Sequence, residues 1–233
     1  MLWDEKKKAE FKVSDDVVDL VYKITCKQIP TTHAFELAEA LYDALPWLKE
    51  EPKIGIHQIH GATSGNGWER PPDGEMIHLS KRSKMSLRVT KDRIDDALNL
   101  TGQVLDISGH SVEVGSAVQK MMNPLPTIFA RYVVVPEGLD ETQFTYWVAD
   151  ELADRGIRIQ KLLRGISHEL RLPKGVFETR SVMIADLDKE TSVSLQESGV
   201  GPFRHYGCGI FLPQKGIKAV EDGEDKSHFS GAD

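Results

Sequence analysis

Apolar residues, mostly β-branched or aromatic, crowd positions 17–25 (Val17, Val18, Leu20, Val21, Tyr22, Ile24) and predict a first strand. Ile29-Pro30-Thr31-Thr32 breaks that run, with Thr31 or Thr32 able to cap a helix. Phe35, Leu37, Ala38, Leu41, Tyr42, Leu45 and Leu48 then recur at helical spacing, which predicts an amphipathic helix over 33–49. Lys53 to Ile59 reads as a second strand, followed by a glycine-rich loop from Gly61 to Trp68. Residues 76–79 and 84–89 read as extended, with Met85, Leu87 and Val89 facing inward and Lys84 and Arg88 on the open face. A short helix over 91–100 and strands over 103–107 and 111–118 complete a β-α-β-β-α-β order. After the hinge Asn123-Pro124-Leu125-Pro126 the order repeats. Strand 127–135 leads to helix 140–155, extended basic segments 157–163 and 167–172, and strand 176–185. A short helix from Asp188 or Thr191 to Ser198 and strand 208–212 follow.

This pattern predicts an α+β chain of two tandem ferredoxin-like (RRM-like) β-α-β-β-α-β domains, residues 16–122 and 127–213, with a polar, disordered tail over 214–233. A length of 233 residues with 40% hydrophobic positions suffices for this. No apolar run approaches a membrane span, no signal peptide opens the chain, and Cys26 and Cys208 make neither a C-x-x-C pair nor a zinc spacing. A reduced, cytoplasmic setting is the expectation.

The net charge of −7 argues at first against a polyanion ligand, but the charges are segregated. Residues 53–93 carry eight basic side chains against four acidic ones, and residues 155–180 carry seven against two. Residues 137–154 are acidic and have no basic residue at all. One basic face and an acidic back would follow, unless the segregation is only linear.

The densest signal for chemistry is Gly199-Val200-Gly201-Pro202-Phe203-Arg204-His205-Tyr206-Gly207-Cys208-Gly209. Such a loop offers bare backbone N–H groups to phosphate oxygens, with Arg204 and His205 suited to the same anion. It matches neither a dinucleotide fingerprint nor a P-loop, and a turn-rich connection into a last strand is the plainer alternative. Trp68 and Phe203, in the two glycine-rich loops, are placed either to stack bases or to anchor those loops. His33 falls at the start of the first helix, where the helix dipole favours a neutral imidazole able to act as a base. His57 and His60 flank the end of a strand, and their odd separation puts them on opposite faces if the strand stays regular. No nucleophile elbow, H-E-x-x-H or carboxylate-held metal site emerges, so neither metal nor cofactor is expected.

The runs Ile29–Leu37, Leu45–Leu48 and Gly55–Gly61, with the strands Ser83–Val89 and Thr127–Arg131 and the ending Gly199–Leu212, resemble the CRISPR-associated repeat-cleaving endoribonucleases. More narrowly, they look like the branch serving type I systems of the myxobacterial kind. The final stretch is similar to the glycine-rich loop of the repeat-associated mysterious protein superfamily. The resemblance implies cleavage of CRISPR precursor RNA within repeats, without a metal. The upstream 2′-hydroxyl would attack the phosphate and leave a 2′,3′-cyclic phosphate. It points to His33 as the catalytic histidine and His57 as the next. Lys81, Arg82, Lys84, Arg88, Arg158, Lys161, Arg164, Arg171 and Lys174, with Gly199, Gly201, Arg204, His205, Gly207 and Gly209, would hold the RNA. The partners implied are CRISPR repeat RNA and other subunits of a type I effector complex. A non-catalytic RNA-binding scaffold on the same fold is the alternative.

Overall fold

The computed structural model describes residues 11–61 and 70–214. Trp68, most of the first glycine-rich loop and the expected tail beyond Gln214 lie outside the described residues.

The first sheet forms around β1 (Val17–Thr25), whose Val18, Leu20, Tyr22 and Ile24 alternate into the core. A short ribbon follows, β2 (Gln28–Pro30) against β4 (Met76–His78). The sequence suggested a break there, but Pro30 is tolerated because a two-stranded ribbon has open edges. α1 (Ala34–Ala44) buries Leu37, Ala38 and Leu41 against β1's sheet. It is shorter than the spacing predicts. Pro46 lacks an N–H and pushes Leu45 out of helical geometry, and a 3-10 turn, Pro46–Glu50, takes over. β3 keeps only Gly55–Ile56 of the expected seven-residue strand and pairs with β5 (Lys84–Thr90). α2 (Ile94–Leu98), β6 (Val104–Ile107) and β7 (His110–Met121) complete an antiparallel sheet of order β3-β5-β1-β7-β6. The Tyr22 hydroxyl donates to the Ala97 carbonyl at 2.7 Å and pins α2 to the sheet.

The second sheet, β11-β8-β10-β9, draws on residues 128–213. After β8 (Ile128–Val134), α3 (Glu141–Ala153) starts at Asp140, whose carboxylate accepts the Thr142 and Gln143 N–H groups while Gln143 reaches back to the Asp140 N–H. The end of the first extended basic segment and all of the second are one strand, β9 (Lys161–Leu172), in a long hairpin with β10 (Gly175–Ala185). α4 (Lys189–Ser198) is capped by Asp188. Of the expected last strand only β11 (Leu212–Pro213) pairs; the chain before it folds as a compact loop with a 3-10 turn at Arg204–Tyr206.

The two sheets meet through an apolar cluster of their own: Ala34 from α1 with Tyr132, Val134, Leu170, Leu172 and Cys208, flanked by Phe35, Phe177, Phe203 and Tyr206. Arg88 crosses the same boundary. Its Nε and Nη2 form a bidentate pair with Asp19 at 2.8 Å, and its Nη1 donates to the carbonyls of Gln196 and Phe211. Arg88 is fully buried, so it does not stand on the open face where RNA contact was expected. The alternation places it correctly on β5's second face, but α4 and the segment before β11 cover that face. Among the described residues, no helix is long and apolar enough to cross a membrane.

Candidate active site

The short β3 decides where the histidines go. Because strand pairing stops at Ile56, period-two alternation does not extend to residue 60, and His57 and His60 line the same cavity instead of facing apart. This small cavity, about 60 Å3, is closed on the other side by Phe129, Arg131, Tyr132 and Gly207. Its wall therefore comes from both halves of the chain.

His57 Nε2 lies 3.4 Å from Asp19 Oδ1. Burial alone would raise the Asp19 carboxyl, yet the Arg88 guanidinium, with His57 behind it, holds it far below the usual carboxylate range. Asp19 is thus a fixed anion shared by a structural arginine and a cavity histidine.

From His60 a line of rings runs into the second sheet. His60 and Tyr132 are 6.3 Å apart by ring centroid, and Tyr132 and His168 meet edge-on at 5.4 Å. His168 opens onto a larger cavity of about 680 Å3 together with Arg70, Asp73 and Ser167. Arg70 is anchored by Asp73 at 2.6 Å. Burial lowers the His60 pKa well below its ordinary value, and Arg131 lowers it further; partial burial, then Arg70 and Arg131, lower that of His168. Burial raises the Tyr132 phenol, opposed by the same two guanidiniums. The result is neutral imidazoles beside fixed cations, an arrangement that can move protons next to a developing anion.

His33 sits nearby but is 1% exposed. Its Nε2 accepts the Ile59 N–H at 3.0 Å, so Nδ1 carries the proton and donates to the Pro30 carbonyl at 2.8 Å. Burial depresses its pKa to about 4. Both ring nitrogens are occupied by backbone, and the lone pair that a general base would use is engaged.

The glycine-rich loop is held from within. Gly199, Gly201, Gly207 and Gly209 all have positive φ. A Cβ on Gly199 would run into Gly209 O and Arg204, and one on Gly209 into Val200 O. These glycines serve close backbone approach. His205 Nε2 donates to the Glu51 carbonyl at 3.0 Å, so its Nδ1 accepts from the Tyr42 hydroxyl at 2.7 Å. Arg204 is largely buried. Its Nη2 donates to Glu197 O, and burial, then the Arg88 charge, lower its pKa to about 10. Gln58 Nε2 donates to Tyr206 O at 3.0 Å and ties the loop to the His57–His60 segment.

The remaining basic residues divide. Lys81 and Arg82 are exposed in the turn before β5, Lys84 is half-buried at its start, and Arg158 is exposed before β9. Lys161 pairs with Asp186 at 2.7 Å, Arg164 with Glu141 at 3.1 Å, and Arg171 with Glu169. Lys174 lies over the Phe203 ring. Arg131, Tyr132, His168 and Asp19 were not singled out from sequence for the site. Arg131 carried a signal, since it interrupts the apolar run of β8; the others depended on packing. Among the described residues no three of His, Cys, Asp or Glu gather as a metal-holding group.

Two antiparallel sheets, each backed by two helices and meeting at a histidine- and arginine-lined junction, define a tandem ferredoxin-like α+β protein. The chain belongs to the Cas6 family: the family model described as Cas6 Crispr matches residues 18–216. It is 29% identical over 197 residues to the CRISPR-associated endonuclease Cas6 of Myxococcus xanthus (strain DK1622), covering 84% of this chain and 81% of that protein. Among solved structures, one described as CRISPR associated protein Cas6 superimposes with a TM-score of 0.55 at 13% identity, covering 85% of this chain and 99% of the other. Another, described as an RAMP protein binding different RNA substrates, gives 0.57 at 13% identity, covering 85% of this chain and 100% of the other.

Proposed function

We propose that this protein is an endoribonuclease that cleaves CRISPR precursor RNA within its repeats, without a metal, leaving a 2′,3′-cyclic phosphate and a 5′-hydroxyl. Family membership and the endonuclease from Myxococcus xanthus support CRISPR RNA processing. The observation that carries the chemical reading is the junction itself: His57 and His60 share one cavity with Arg131, and His168 and Arg70 stand beyond Tyr132.

In this reading His57 takes the proton from the attacking 2′-hydroxyl. The Asp19 carboxylate, 3.4 Å from His57 Nε2, favours the tautomer with its proton on Nε2, which leaves Nδ1 as the basic nitrogen. Arg131 and Arg70 offset the charge that builds on the phosphorane oxygens. In the molecules where the His168 imidazole carries a proton, a fraction that its lowered pKa makes smaller as the pH rises, His168 protonates the departing 5′-oxygen. His33 acts as a positioning residue, because its bond to Ile59 sets the segment that carries His57 and His60. Lys81, Arg82, Lys84, Arg158 and Lys174 are the cations proposed to hold the repeat, which makes binding salt-dependent.

The deciding experiment is incubation with the cognate repeat RNA in excess EDTA, followed by end-group analysis. Cleavage at one site with a cyclic-phosphate end is expected. A requirement for divalent metal, or a 3′-hydroxyl product, would overturn the mechanism. Tight binding with no cleavage would select the scaffold role.

A further inference from the structure

A third cavity, about 580 Å3, lies between the β9–β10 turn, the Val135–Leu139 loop and the glycine-rich loop. That volume falls within the roughly 300–1,000 Å3 of small-ligand sites. Its aromatic wall is Phe203 and Phe177, packed edge-on at 4.8 Å. Lys174 is the only cation among its described lining residues. Its Nζ stands 4.0 Å from the Phe203 ring centroid and 5.7 Å from that of Phe177.

Phe203 holds an unusual backbone. Its φ is 69° and ψ 35°, left-handed geometry that a bulky side chain rarely adopts. The carbonyl is locked there by the N–H groups of Tyr206 and Cys208, at 2.9 and 3.1 Å. Glycine occupies the other left-handed positions of this loop, at 199, 201, 207 and 209. Glycine at 203 would make the same turn without strain, so the ring is what the strain retains. Such outliers concentrate where a ligand is gripped.

We infer that this cavity is a subsite for one unpaired nucleobase of the bound RNA, which stacks on Phe203 while Lys174 leaves the ring and pairs with the adjoining phosphate. This rests on the RNA-processing reading above. Charge separates base from phosphate inside the cavity. Glu137 and Glu178 line it and would repel a phosphate, whereas the aromatic wall accepts a base face. The cavity also adjoins the candidate active site, because Val176 and Glu178 line both it and the larger cavity holding His168 and Arg70. A strand crossing the site can therefore place a neighbouring base here.

The test is a set of repeat RNAs, each with one abasic ribose, assayed for binding to the parent protein and to Phe203→Ala, Phe203→Leu and Lys174→Ala. One unpaired position is expected to lose about 5- to 150-fold in affinity when its base is removed. In Phe203→Ala and Phe203→Leu that penalty should fall below about 2-fold while penalties elsewhere persist. Phe203→Leu keeps apolar volume, so loss of coupling there is not a folding defect. In Lys174→Ala the base penalty should persist while the salt dependence of binding becomes shallower. If the repeat is bound and cleaved but no position couples to Phe203, the subsite is refuted and the enzyme reading survives. If no repeat RNA is bound, both fall.

Discussion

The Ile59 backbone N–H donates to His33 Nε2 at 3.0 Å, and that bond ties the start of α1 to the segment carrying His57 and His60. It gives a histidine at a helix start a positioning role without contact to substrate. His33→Ala leaves the Ile59 N–H and the Pro30 carbonyl buried without partners, at about 1–3 kcal/mol each. Denaturant unfolding should show a loss of about 2–4 kcal/mol, and added imidazole should not restore cleavage. Full stability with abolished cleavage would return His33 to a direct chemical role.

Acid sensitivity follows from the same residue. The His33 pKa is about 4 in the folded chain against 6.5 for the unperturbed group, so the unfolded chain binds the extra proton between those values. Its contribution is complete above pH 6.5 and is lost as the pH falls towards 4. Burial of His60 acts in the same direction. About 3 kcal/mol of stability should disappear across this window for His33, and the slope should flatten in His33→Ala. Equal slopes in parent and variant would contradict the assignment.

His57→Ala should lower the single-turnover cleavage rate by about 100- to 10,000-fold, the usual range for losing a positioned proton-transfer group. Repeat binding and thermal stability should change little, because the His57 ring is half-buried and stands 3.4 Å from Asp19 without a close hydrogen bond. His168→Ala should also slow cleavage and remove one limb of the pH–rate profile. An unchanged rate in His57→Ala would move the proton acceptor to His60 or His168.

Arg88 joins the two halves rather than holding RNA. Arg88→Ala strands the Asp19 carboxylate and removes donors to Gln196 and Phe211, a loss of about 3–5 kcal/mol. Arg88→Lys should not restore it, since an ammonium cannot supply the bidentate pair and the cross-sheet bonds together. By contrast, Lys81→Ala or Arg82→Ala should leave stability unchanged and reduce the log–log salt slope of repeat binding by about 0.7–1 each. A shallower salt slope in a stable Arg88→Ala protein would make Arg88 an RNA contact after all.

Gly209→Ala should destabilise the fold by upwards of about 2 kcal/mol, because φ is +66° and the new methyl would meet Val200 O. Thermal unfolding reads this directly. An unchanged melting temperature would show that the loop has slack.

Periodicity over β1, α1, β5, α3 and β10 is strong because each element turns most of its apolar positions to one side, so their type and order are readable from residues in sequence. The ends are less readable. Helix α1 stops early at a proline, and β3 shrinks to Gly55–Ile56 because pairing needs a partner strand that local pattern cannot see. That shortening brings His57 and His60 into one cavity, against the alternation expected of a longer strand.

The chain's own order of residues determined the doubled β-α-β-β-α-β plan and the glycine positions, since propensity and φ requirements are local. Tertiary structure decided the rest. It turned Arg88 inward because a second sheet covers its face, and it engaged the His33 and His205 ring nitrogens within the fold. It drew Arg70, Arg131, Tyr132 and His168 together across the junction. Burial and charge neighbourhood belong to the assembled fold, and they determine which imidazole remains available for chemistry.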